Sequence, residues 1–277
     1  MMANRSFSVS MCVYGKDDPI WFETAVESVL NQTVKPQEVV LVVDGPVPED
    51  LDKVIKKYES TEVFKIIRFK ENCGHGNARR ASLDACSNEL VAIMDADDIC
   101  LPNRFEQQLD LMEKTEADIV GGNISEFVDS AENIVAYRNL PTEDKEIKEY
   151  MKKRCPFNQV TVMFKKKAAQ DVGGYIDWYC DEDYYLWLRM AQNNCKMANT
   201  GTVLVNVRVG KEMYNRRGGI KYFRSEAKLQ KYMLDSKIIG FGTYFVNVTK
   251  RFIVQVMLPN KLRGWVFKKF ARENAQS

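Results

Sequence analysis

The sequence predicts an α/β fold in which a mainly parallel sheet is covered by helices on both faces. Three observations predict it. Strand-like and helix-like patterns alternate through the first hundred residues, Glu38–Val43 (EVVLVV) is apolar throughout, and polar side chains follow the ends of the strands. A continuously apolar strand is typical of a parallel sheet buried between two helix layers, and β-α alternation builds such sheets with right-handed crossovers.

The first part of the chain supplies four strands and the helices between them. The Asp18-Pro19 pair marks a helix start, because an aspartate caps free backbone N–H groups and proline fits the first helical position. The predicted strands are Phe7–Tyr14, Glu38–Val43, Phe64–Phe69 and Leu90–Met94. The predicted helices are Ile20–Gln32, Glu49–Ser60, Asn77–Cys86 and Pro102–Lys114.

The second part of the chain is less regular. Its pattern predicts two antiparallel strands, a surface helix, a strand, a helix and a last strand. These are Ala117–Phe127, Asn133–Tyr137, Thr142–Lys153, Gln159–Phe164, Asp181–Gln192 and Met197–Val209. Residues 219–277 predict two or three basic amphipathic helices, interrupted at Gly240 and Pro259.

Composition excludes several classes of protein. Hydrophobic residues make up 45% and charged residues 28% of the chain, which is typical of a folded protein and not of a disordered one. The seven cysteines contain no CxxC pair, so they predict neither a zinc site nor a disulfide framework. Free thiols are typical of a reducing compartment, and Met1–Tyr14 fits a first strand better than a signal peptide. We therefore expect a cytoplasmic protein.

The net charge of +2 conceals a strong asymmetry. Residues 1–206 carry 24 Lys and Arg against 34 Asp and Glu, whereas residues 207–277 carry 16 against 4. Such a basic tail indicates an anionic partner, which is a membrane surface, a phosphate-bearing substrate or a nucleic acid. The alternative is a basic surface that only contacts solvent.

Apolar residues recur at helical spacing among these basic residues. They are Tyr244, Val248, Phe252 and Val256, with Leu262, Trp265 and Phe270 following less strictly. This pattern predicts a helix that lies in the interface of an anionic membrane. A membrane-spanning helix is disfavoured, because Lys250 and Arg251 at the middle of Gly240–Leu258 would each cost about 2.5–3.5 kcal/mol. Packing of the apolar face on the catalytic part or on a second subunit is the alternative.

The residues with chemical potential follow the strands. In an open α/β sheet, ligands bind at the carboxyl ends of the parallel strands. Tyr14 ends the first strand, Asp44 closes the second, Asn72–Arg79 follows the third and Asp95–Asp98 follows the fourth.

The cluster DADD (Asp95, Asp97 and Asp98) predicts a divalent metal site. Three carboxylates within four residues repel one another, and a hard cation such as Mg²⁺ or Mn²⁺ removes the repulsion while keeping positions open for phosphate oxygens. The alternative is that Asp97 or Asp98 caps the next helix, which accounts for one aspartate and not for three.

The loop NCGHGNAR contains a G-x-G-x-x-R pattern. Arg79 stands where a dinucleotide fingerprint has its third glycine, and the loop follows the third strand instead of the first, so the pattern does not indicate a dehydrogenase. A loop that brings Arg79 and backbone amides to a nucleotide explains it better. An exposed turn is the alternative, and we assign no role to His75, the single histidine.

A second acidic cluster, Asp181-Glu182-Asp183, begins the helix DEDYYLWLRM. Acidic side chains stabilise a helix start through its dipole, which is the simplest explanation. A carboxylate at the first turn could also take a proton from an acceptor hydroxyl in a cleft.

Taken in order, these segments resemble family 2 glycosyltransferases of the nucleotide-diphospho-sugar transferase (GT-A) fold, which is Rossmann-like. The resemblance covers roughly residues 6–200 and runs through FSVSMCVYG, ESVLNQT, EVVLVVDG, ENCGHGNARRAS, IMDADDICLPNRF, NQVTVMFKK, GGY and DEDYYLWLRM. The segments RRGGIKYFRSEAKLQ and LPNKLRGWVFKKF resemble the tails of members that build bacterial surface polysaccharides.

The resemblance implies an inverting transferase that moves a sugar from a nucleotide-diphospho-sugar, expected to be a UDP-sugar, with Mn²⁺ or Mg²⁺ as cofactor. The acceptor would be a lipid-linked saccharide on the inner face of the cell membrane. Residues 1–210 would form the catalytic domain, with a nucleotide-binding half (1–98) and an acceptor half (99–210). Residues 211–277 would form the basic helical extension.

The resemblance also implies roles for single residues. Asp44 matches the residue that binds the pyrimidine base, and Arg79 the arginine beside the nucleotide. Asp95 and Asp97 match the DxD pair, with Asp97 as the direct metal ligand and Asp95 near the ribose and the metal. Asp183 matches the general base. Tyr14 and Asn72 are expected to complete the donor site.

Three other functions fit the sequence less well. A nucleotidyltransferase shares the sheet and the acidic site, but VYGKDDP does not fit its glycine- and lysine-rich phosphate loop. A non-catalytic nucleotide-sugar-binding protein would not need Asp183. A nucleic-acid-binding module explains the basic tail but not the acidic clusters, so we expect no nucleic acid partner. The sequence leaves the oligomeric state open.

Overall fold

The computed structural model describes residues 5–210, 218–259, 262–263 and 273–274. Its strands are β1 (Phe7–Tyr14), β2 (Glu38–Asp44), β3 (Phe64–Arg68), β4 (Leu90–Met94), β5 (Ile99–Cys100), β6 (Ile119–Phe127), β7 (Ile134–Arg138), β8 (Met163–Lys165), β9 (Met197–Arg208) and β10 (Glu273–Asn274). Its α-helices are α1 (Pro19–Leu30), α2 (Glu49–Glu59), α3 (His75–Ala85), α4 (Arg104–Thr115), α5 (Asp144–Met151), α6 (Lys166–Gln170), α7 (Glu182–Gln192), α8 (Ile220–Asp235) and α9 (Phe241–Phe252).

The described strands form one sheet in the order β10-β7-β6-β8-β4-β1-β2-β3, with β9 beside β6 and β5 beside β9. The pairs β4–β1, β1–β2 and β2–β3 are parallel, and β8 and β7 run antiparallel to their neighbours. The predicted α/β fold is confirmed, and its parallel pairs are those of the first four strands together with β6–β9. The carboxyl ends of the first four strands bring Tyr14, Asp44 and Asp95 to one edge of the sheet.

The core lies on both faces of this sheet, as the continuously apolar strands predicted. Along β4, Ala92 and Met94 pack with residues of α1, α2 and α4, whereas Val91 and Ile93 pack with residues of α3, α5, α7 and α8. The alternation follows from the two-residue period of a strand. It holds α3 and α7 on the same face, so that their first turns lie near each other.

The start of α1 forms as the sequence predicted. The Asp18 carboxylate accepts hydrogen bonds from the N–H groups of Ile20 (2.8 Å) and Trp21 (3.1 Å), and Pro19 is the first helical residue. The side chain satisfies N–H groups that have no partner inside the helix.

One strand prediction is wrong in its position. Residues Gln159–Thr161, predicted as the start of a strand, form a short 3-10 turn, and β8 begins at Met163. The Thr161 backbone oxygen accepts from the side chain of Gln108 (2.7 Å), and its hydroxyl oxygen accepts from the Gly122 N–H (3.0 Å). Side-chain hydrogen bonds at Thr161 therefore take the place of the backbone hydrogen bonds that a strand would make. The short elements β5 and α6 were not predicted.

Helix α8 packs on the same face of the sheet as α7. Leu229 and Met233 are buried in the same core as α7, and the ring of Tyr232 meets that of Tyr185 edge-on. The Ser225 hydroxyl donates to the Tyr179 backbone oxygen at 2.5 Å. The first half of α8 therefore lies against the segment that leads into α7.

Helix α9 turns polar side chains inwards. The Asn247 amide donates to the Lys152 oxygen (2.9 Å) and to the Gln230 side chain (2.8 Å), and Arg251 forms a half-buried ion pair with Glu226. Among the described residues of the predicted apolar face, Tyr244 packs against the core, while Phe252 and Val256 stay exposed. Helix α9 therefore packs on the rest of the chain mainly through polar side chains.

The outer face of α9 and the π-helical turn after it is apolar. Phe241, Phe245 and Met257 are 70%, 61% and 64% exposed, and Val246, Phe252, Ile253 and Val256 are exposed beside them. None of the helices in the described ranges combines the length and apolar character needed to cross a bilayer. Trp265 and Phe270, which continued the predicted pattern, lie outside the described residues.

Candidate active site

Asp44 fixes the loop that leads into α3. Its buried carboxylate accepts from the N–H groups of Cys73 (2.7 Å) and Gly74 (3.1 Å), and the Asn72 side chain donates to the Asp44 backbone oxygen (3.1 Å). Gly45 has a φ of 89°, and a Cβ there would lie 2.6 Å from the Asn72 nitrogen, so this close approach requires glycine. Asp44 pairs with Tyr14 in the β1–β2 register, which places three predicted donor-site residues together.

Arg79 is fully buried beneath the edge of the sheet. Its guanidinium donates to the backbone oxygens of Ser10 (3.1 Å) and Met94 (3.3 Å), and to the Asp95 carboxylate. The arginine thereby joins the middle of β1 to the end of β4 and fixes the position of Asp95. The exposed-turn alternative for Arg79 is wrong.

His75 bridges the two halves of the site. Its Nδ1 lies 2.7 Å from Oε1 of Glu182, and its Nε2 accepts from Nε of Arg79 at 3.3 Å. Through these contacts, the first turn of α3 connects the first turn of α7 to the Arg79–Asp95 pair. No sequence pattern predicts this contact, because Glu182 is 107 residues away along the chain.

The three aspartates of the DADD cluster do not act alike. Asp98 is buried, and its carboxylate accepts from the Arg208 N–H of β9 at 2.8 Å. The Arg208 side chain donates to the Asp97 backbone oxygen (3.2 Å) and lies over the rings of Trp21 and Phe127, at 4.4 and 4.7 Å. Asp98 therefore anchors β9, whereas the metal site expected at Asp95 and Asp97 stays a prediction.

Helix capping explains neither Asp97 nor Asp98, but the second acidic cluster does lie at a helix start, with Glu182 and Asp183 in the first turn of α7. Helix α4 begins at Arg104 after Asn103, well beyond Asp97 and Asp98. Asp181 precedes α7, but its side chain accepts no hydrogen bond from the N–H groups of that helix.

A third carboxylate, Asp17, faces the Asp95–Asp97 turn. Burial raises the pKa of the Asp17 carboxyl to about 7, and the negative charges of Asp97 and Asp95 add to the increase. Burial and the same two neighbours raise the pKa of Asp98 well above its usual range. Negative charge is therefore concentrated around the Asp95–Asp97 turn. Asp17 was not predicted as a site residue, because nothing in the segment VYGKDDP distinguishes it from its neighbour Asp18, which caps α1.

The donor atoms here fit a hard divalent cation. Asp95 and Asp97 are both half-buried, and their ligand atoms are carboxylate oxygens. In the described part of the chain, no three His, Cys, Asp or Glu side chains enclose a single point. Two carboxylates leave positions open for phosphate oxygens, as Mg²⁺ sites usually do.

Asp183 lies at the first turn of α7, half-buried. Burial raises the pKa of its carboxyl to about 7, and the neighbouring charge of Glu182 contributes to the increase. The Tyr184 N–H donates to Asp183 Oδ1 at 2.6 Å. Asp181 is buried more deeply against α8, where burial and Glu226 raise the pKa of its carboxyl to about 9. At neutral pH, Asp183 can therefore accept a proton, whereas Asp181 is already protonated.

A family model described as glycosyl transferase family 2 matches residues 8–173 of this chain. The chain belongs to this family. It is a glycosyltransferase, and the nucleotidyltransferase alternative is wrong.

The relatives extend the similarity beyond the matched residues. The chain is 37% identical to the UDP-Gal:alpha-D-GlcNAc-diphosphoundecaprenol beta-1,3-galactosyltransferase of Escherichia coli. The aligned 267 residues cover 96% of each of the two proteins. It is 35% identical to the amylovoran biosynthesis glycosyltransferase AmsE of Erwinia amylovora, over 95% of this chain and 98% of that protein. It is 38% identical to an uncharacterized glycosyltransferase of Haemophilus influenzae, over 96% and 99%.

Two solved structures share the fold. Staphylococcus aureus TarS 1–349, in complex with UDP-GlcNAc, has a TM-score of 0.65 at 14% identity and covers 96% of this chain and 76% of its own. The mannosyltransferase PcManGT of Pyrobaculum calidifontis, in complex with GDP-Man and Mn²⁺, has a TM-score of 0.62 at 14% identity, over 93% and 71%. Both are glycosyltransferases of the GT-A fold, and the predicted GT-A fold is confirmed.

Proposed function

We propose that this enzyme transfers a sugar from a UDP-sugar to a hydroxyl of a lipid-linked saccharide, with inversion at the anomeric carbon, in the assembly of a bacterial surface polysaccharide. One observation supports the proposal: a chain of contacts runs from Glu182, the neighbour of Asp183, through His75 and Arg79 to Asp95. A relative named for UDP-Gal, and a fold neighbour in complex with UDP-GlcNAc, support a uridine nucleotide.

The donor would bind along the carboxyl edge of the parallel strands. Asp44 and Asn72 lie where the base would sit, and each Asp44 oxygen that already accepts a backbone N–H retains a second lone pair for the base. Tyr14 is 37% exposed at the same edge and can cover the nucleotide. Arg79 would act on the donor through Asp95, because its guanidinium is fully buried and directed at that carboxylate.

Asp95 and Asp97 would hold Mn²⁺ or Mg²⁺, with Asp97 as the direct ligand. When bound, the cation would neutralise charge on the diphosphate as it leaves. Asp17 adds negative charge beside the two aspartates, which further favours a cation at this point. The Mn²⁺ in the mannosyltransferase structure supports the assignment by fold alone.

Asp183 would be the single general base. A carboxylate with a pKa near neutrality combines a large ionised fraction with good proton affinity, as a base requires. It would take the proton of the acceptor hydroxyl, whose oxygen forms the new bond to the anomeric carbon as the bond to the diphosphate breaks. Attack from the face opposite the leaving diphosphate inverts the carbon.

Cationic side chains beside α7 support an acceptor that carries a diphosphate. Lys221 Nζ lies 4.1 Å from the centre of the Tyr179 ring, and Lys228 Nζ lies 4.1 Å from that of Trp178. Both rings belong to the segment that leads into the catalytic helix. The galactosyltransferase relative is named for a diphosphoundecaprenol acceptor.

The apolar outer face of α9 would lie in the membrane interface, with the enzyme peripheral on the inner face of the cell membrane. Polar contacts attach α9 to the catalytic part of the chain. The aromatic side chains on its outer face are therefore left exposed instead of being buried in the core. Lys250 and the lysines of α8 supply the cations that attract an anionic surface. In this proposal residues 1–210 bind both substrates and residues 211–277 attach the enzyme.

A screen of UDP-, dTDP- and GDP-sugars for metal-dependent thermal stabilisation tests the donor assignment. Ligand binding to the native state raises stability with the logarithm of concentration over the dissociation constant. We expect UDP-sugars to raise the Tm with Mn²⁺ or Mg²⁺ present, and a chelator to remove the effect. Equal stabilisation without metal, or stabilisation by GDP-sugars alone, would contradict the proposal. Turnover with a lipid-diphosphate saccharide then distinguishes an enzyme from a protein that only binds sugar nucleotides.

A further inference from the structure

His75 occupies a position where its two ring nitrogens face different halves of the site. It is the first residue of α3, and its side chain is 51% exposed. A Cβ on the next residue, Gly76, would lie 3.2 Å from the Cα of Asp177, so α3 approaches the segment before α7 at backbone distance. The histidine therefore stands at a close contact between α3 and that segment.

The hydrogen bonds select one tautomer of this histidine. A guanidinium has only donors, so the 3.3 Å contact from Arg79 Nε requires Nε2 of His75 to be unprotonated. The proton of a neutral ring then resides on Nδ1, which donates to Glu182 Oε1 at 2.7 Å. A doubly protonated ring would lose the contact with Arg79 and place two cations side by side.

We propose that neutral His75, protonated on Nδ1, is a positioning residue that sets the distance between the base and the donor site. On one side it orients Glu182, whose neighbour is Asp183. On the other it orients Arg79, which holds Asp95. The inference rests on the proposed function in assigning Asp183 to the acceptor and Asp95 to the donor. A reacting geometry tolerates little displacement, so loss of either contact should affect the corresponding half of the reaction.

Two conservative variants separate the two contacts. The amide atoms of asparagine lie as many bonds from Cβ as Nδ1 does, and those of glutamine as many as Nε2 does. His75→Asn can therefore still donate to Glu182, while His75→Gln can still accept from Arg79. We expect His75→Asn to raise the KM for the donor, and His75→Gln to lower kcat with the donor KM retained, each by about 10–100-fold, as for other residues that orient a ligand. His75→Ala should combine both effects.

The tautomer can be measured directly on the full-length wild-type protein, because His75 is the only histidine. Nitrogen-15 NMR of labelled protein should show a protonated Nδ1 and an unprotonated Nε2 above neutral pH. A ring protonated on Nε2 would overturn the proposal, and so would equal changes of KM and kcat in the Asn and Gln variants or unchanged kinetics in His75→Ala. If no sugar nucleotide binds the wild-type protein, the proposed function fails, while the tautomer measurement still decides the role of His75.

Discussion

The Asp98 carboxylate accepts a hydrogen bond of 2.8 Å from the backbone N–H of Arg208, which joins the turn after β4 to the last residue of β9. Asp98 therefore differs from Asp95 and Asp97, although the three stand within four residues. The contact supplies an internal control for the metal site, because Asp98 is held by the backbone of another strand.

Replacing Asp97 should remove the metal site. We expect Asp97→Ala to abolish transfer and the metal-dependent binding of nucleotide diphosphate, and Asp95→Ala to weaken both while also freeing Arg79. Asp98→Asn is the matched control, since its amide oxygen can still accept from the Arg208 N–H, and it should keep metal-dependent binding. Calorimetric titration with UDP and Mn²⁺ measures all three. Normal turnover of Asp97→Ala in the presence of a chelator would show that the metal assignment is wrong.

Asp183→Asn should separate binding from chemistry. An amide has nearly the shape of the carboxylate but cannot accept the proton, and loss of a general base costs about 10²–10⁴-fold in rate. We expect donor affinity and fold to be retained while kcat falls by that factor. Asp181→Asn, at a carboxyl that is already protonated at neutral pH, should keep most of the activity. Near-normal turnover of Asp183→Asn would instead assign the base to Glu182.

The activity should depend on pH through the same carboxyl. Because burial and the Glu182 charge raise the pKa of Asp183 to about 7, the fraction of active base increases as the pH rises through that value. We expect kcat/KM to fall below pH 7 with the slope of a single proton, and to level off above it. An acid limb centred near pH 4, the range of an ordinary aspartate, would contradict this.

The stability of the protein should show the opposite trend. A carboxyl whose pKa is raised on folding binds more protons in the native state than in the unfolded state between its unfolded value, about 3.9, and its folded value. For Asp17 and Asp183, both with a pKa raised to about 7, the free energy of unfolding should therefore decrease as the pH rises from about 4 to about 7. Urea unfolding at several pH values measures the slope. Asp17→Asn and Asp183→Asn should each reduce it, and an unchanged slope in both variants would refute the assignment.

The outer face of α9 should bind anionic vesicles. Phe241→Ser combined with Phe245→Ser removes two side chains that contact mainly solvent, so the fold should be retained while sedimentation with vesicles is reduced. Thr249→Ser, at an exposed position of the same helix, is the control and should pellet like the wild type. Release by salt would show the contribution of the lysines. If the wild-type protein and the double variant pellet equally, or neither does, the face serves another contact.

The sequence predicted the sheet because β-α alternation and strand apolarity are local properties. It also predicted Asp44, Asn72, Arg79 and Asp95 at one edge, since strand ends of a parallel sheet converge. It could not predict which carboxylates face the site. Asp98 binds the backbone N–H of Arg208, which is 110 residues away along the chain. His75 contacts Glu182 because α3 and α7 pack on the same face of the sheet.

Helix α9 also shows what the sequence pattern could not predict. The spacing of Tyr244, Val248, Phe252 and Val256 predicted an apolar helical face, but periodicity does not say which face a tertiary contact will use. Asn247 and Arg251 bind backbone oxygens just after the end of α5 and side chains of α8, so the polar side turns inwards.

The contact between Arg208 and Asp98 also sets an order of events during synthesis. The aspartate turn leaves the ribosome early. Arg208, whose N–H binds Asp98 and whose guanidinium lies over the Trp21 ring, is added only when the chain has reached residue 208. Domains fold as units during synthesis, so the acidic turn is fixed only after β9 has emerged. A nascent chain halted shortly after Asp98 should therefore carry the first four strands without a finished donor site, and completion of the site should coincide with the emergence of β9.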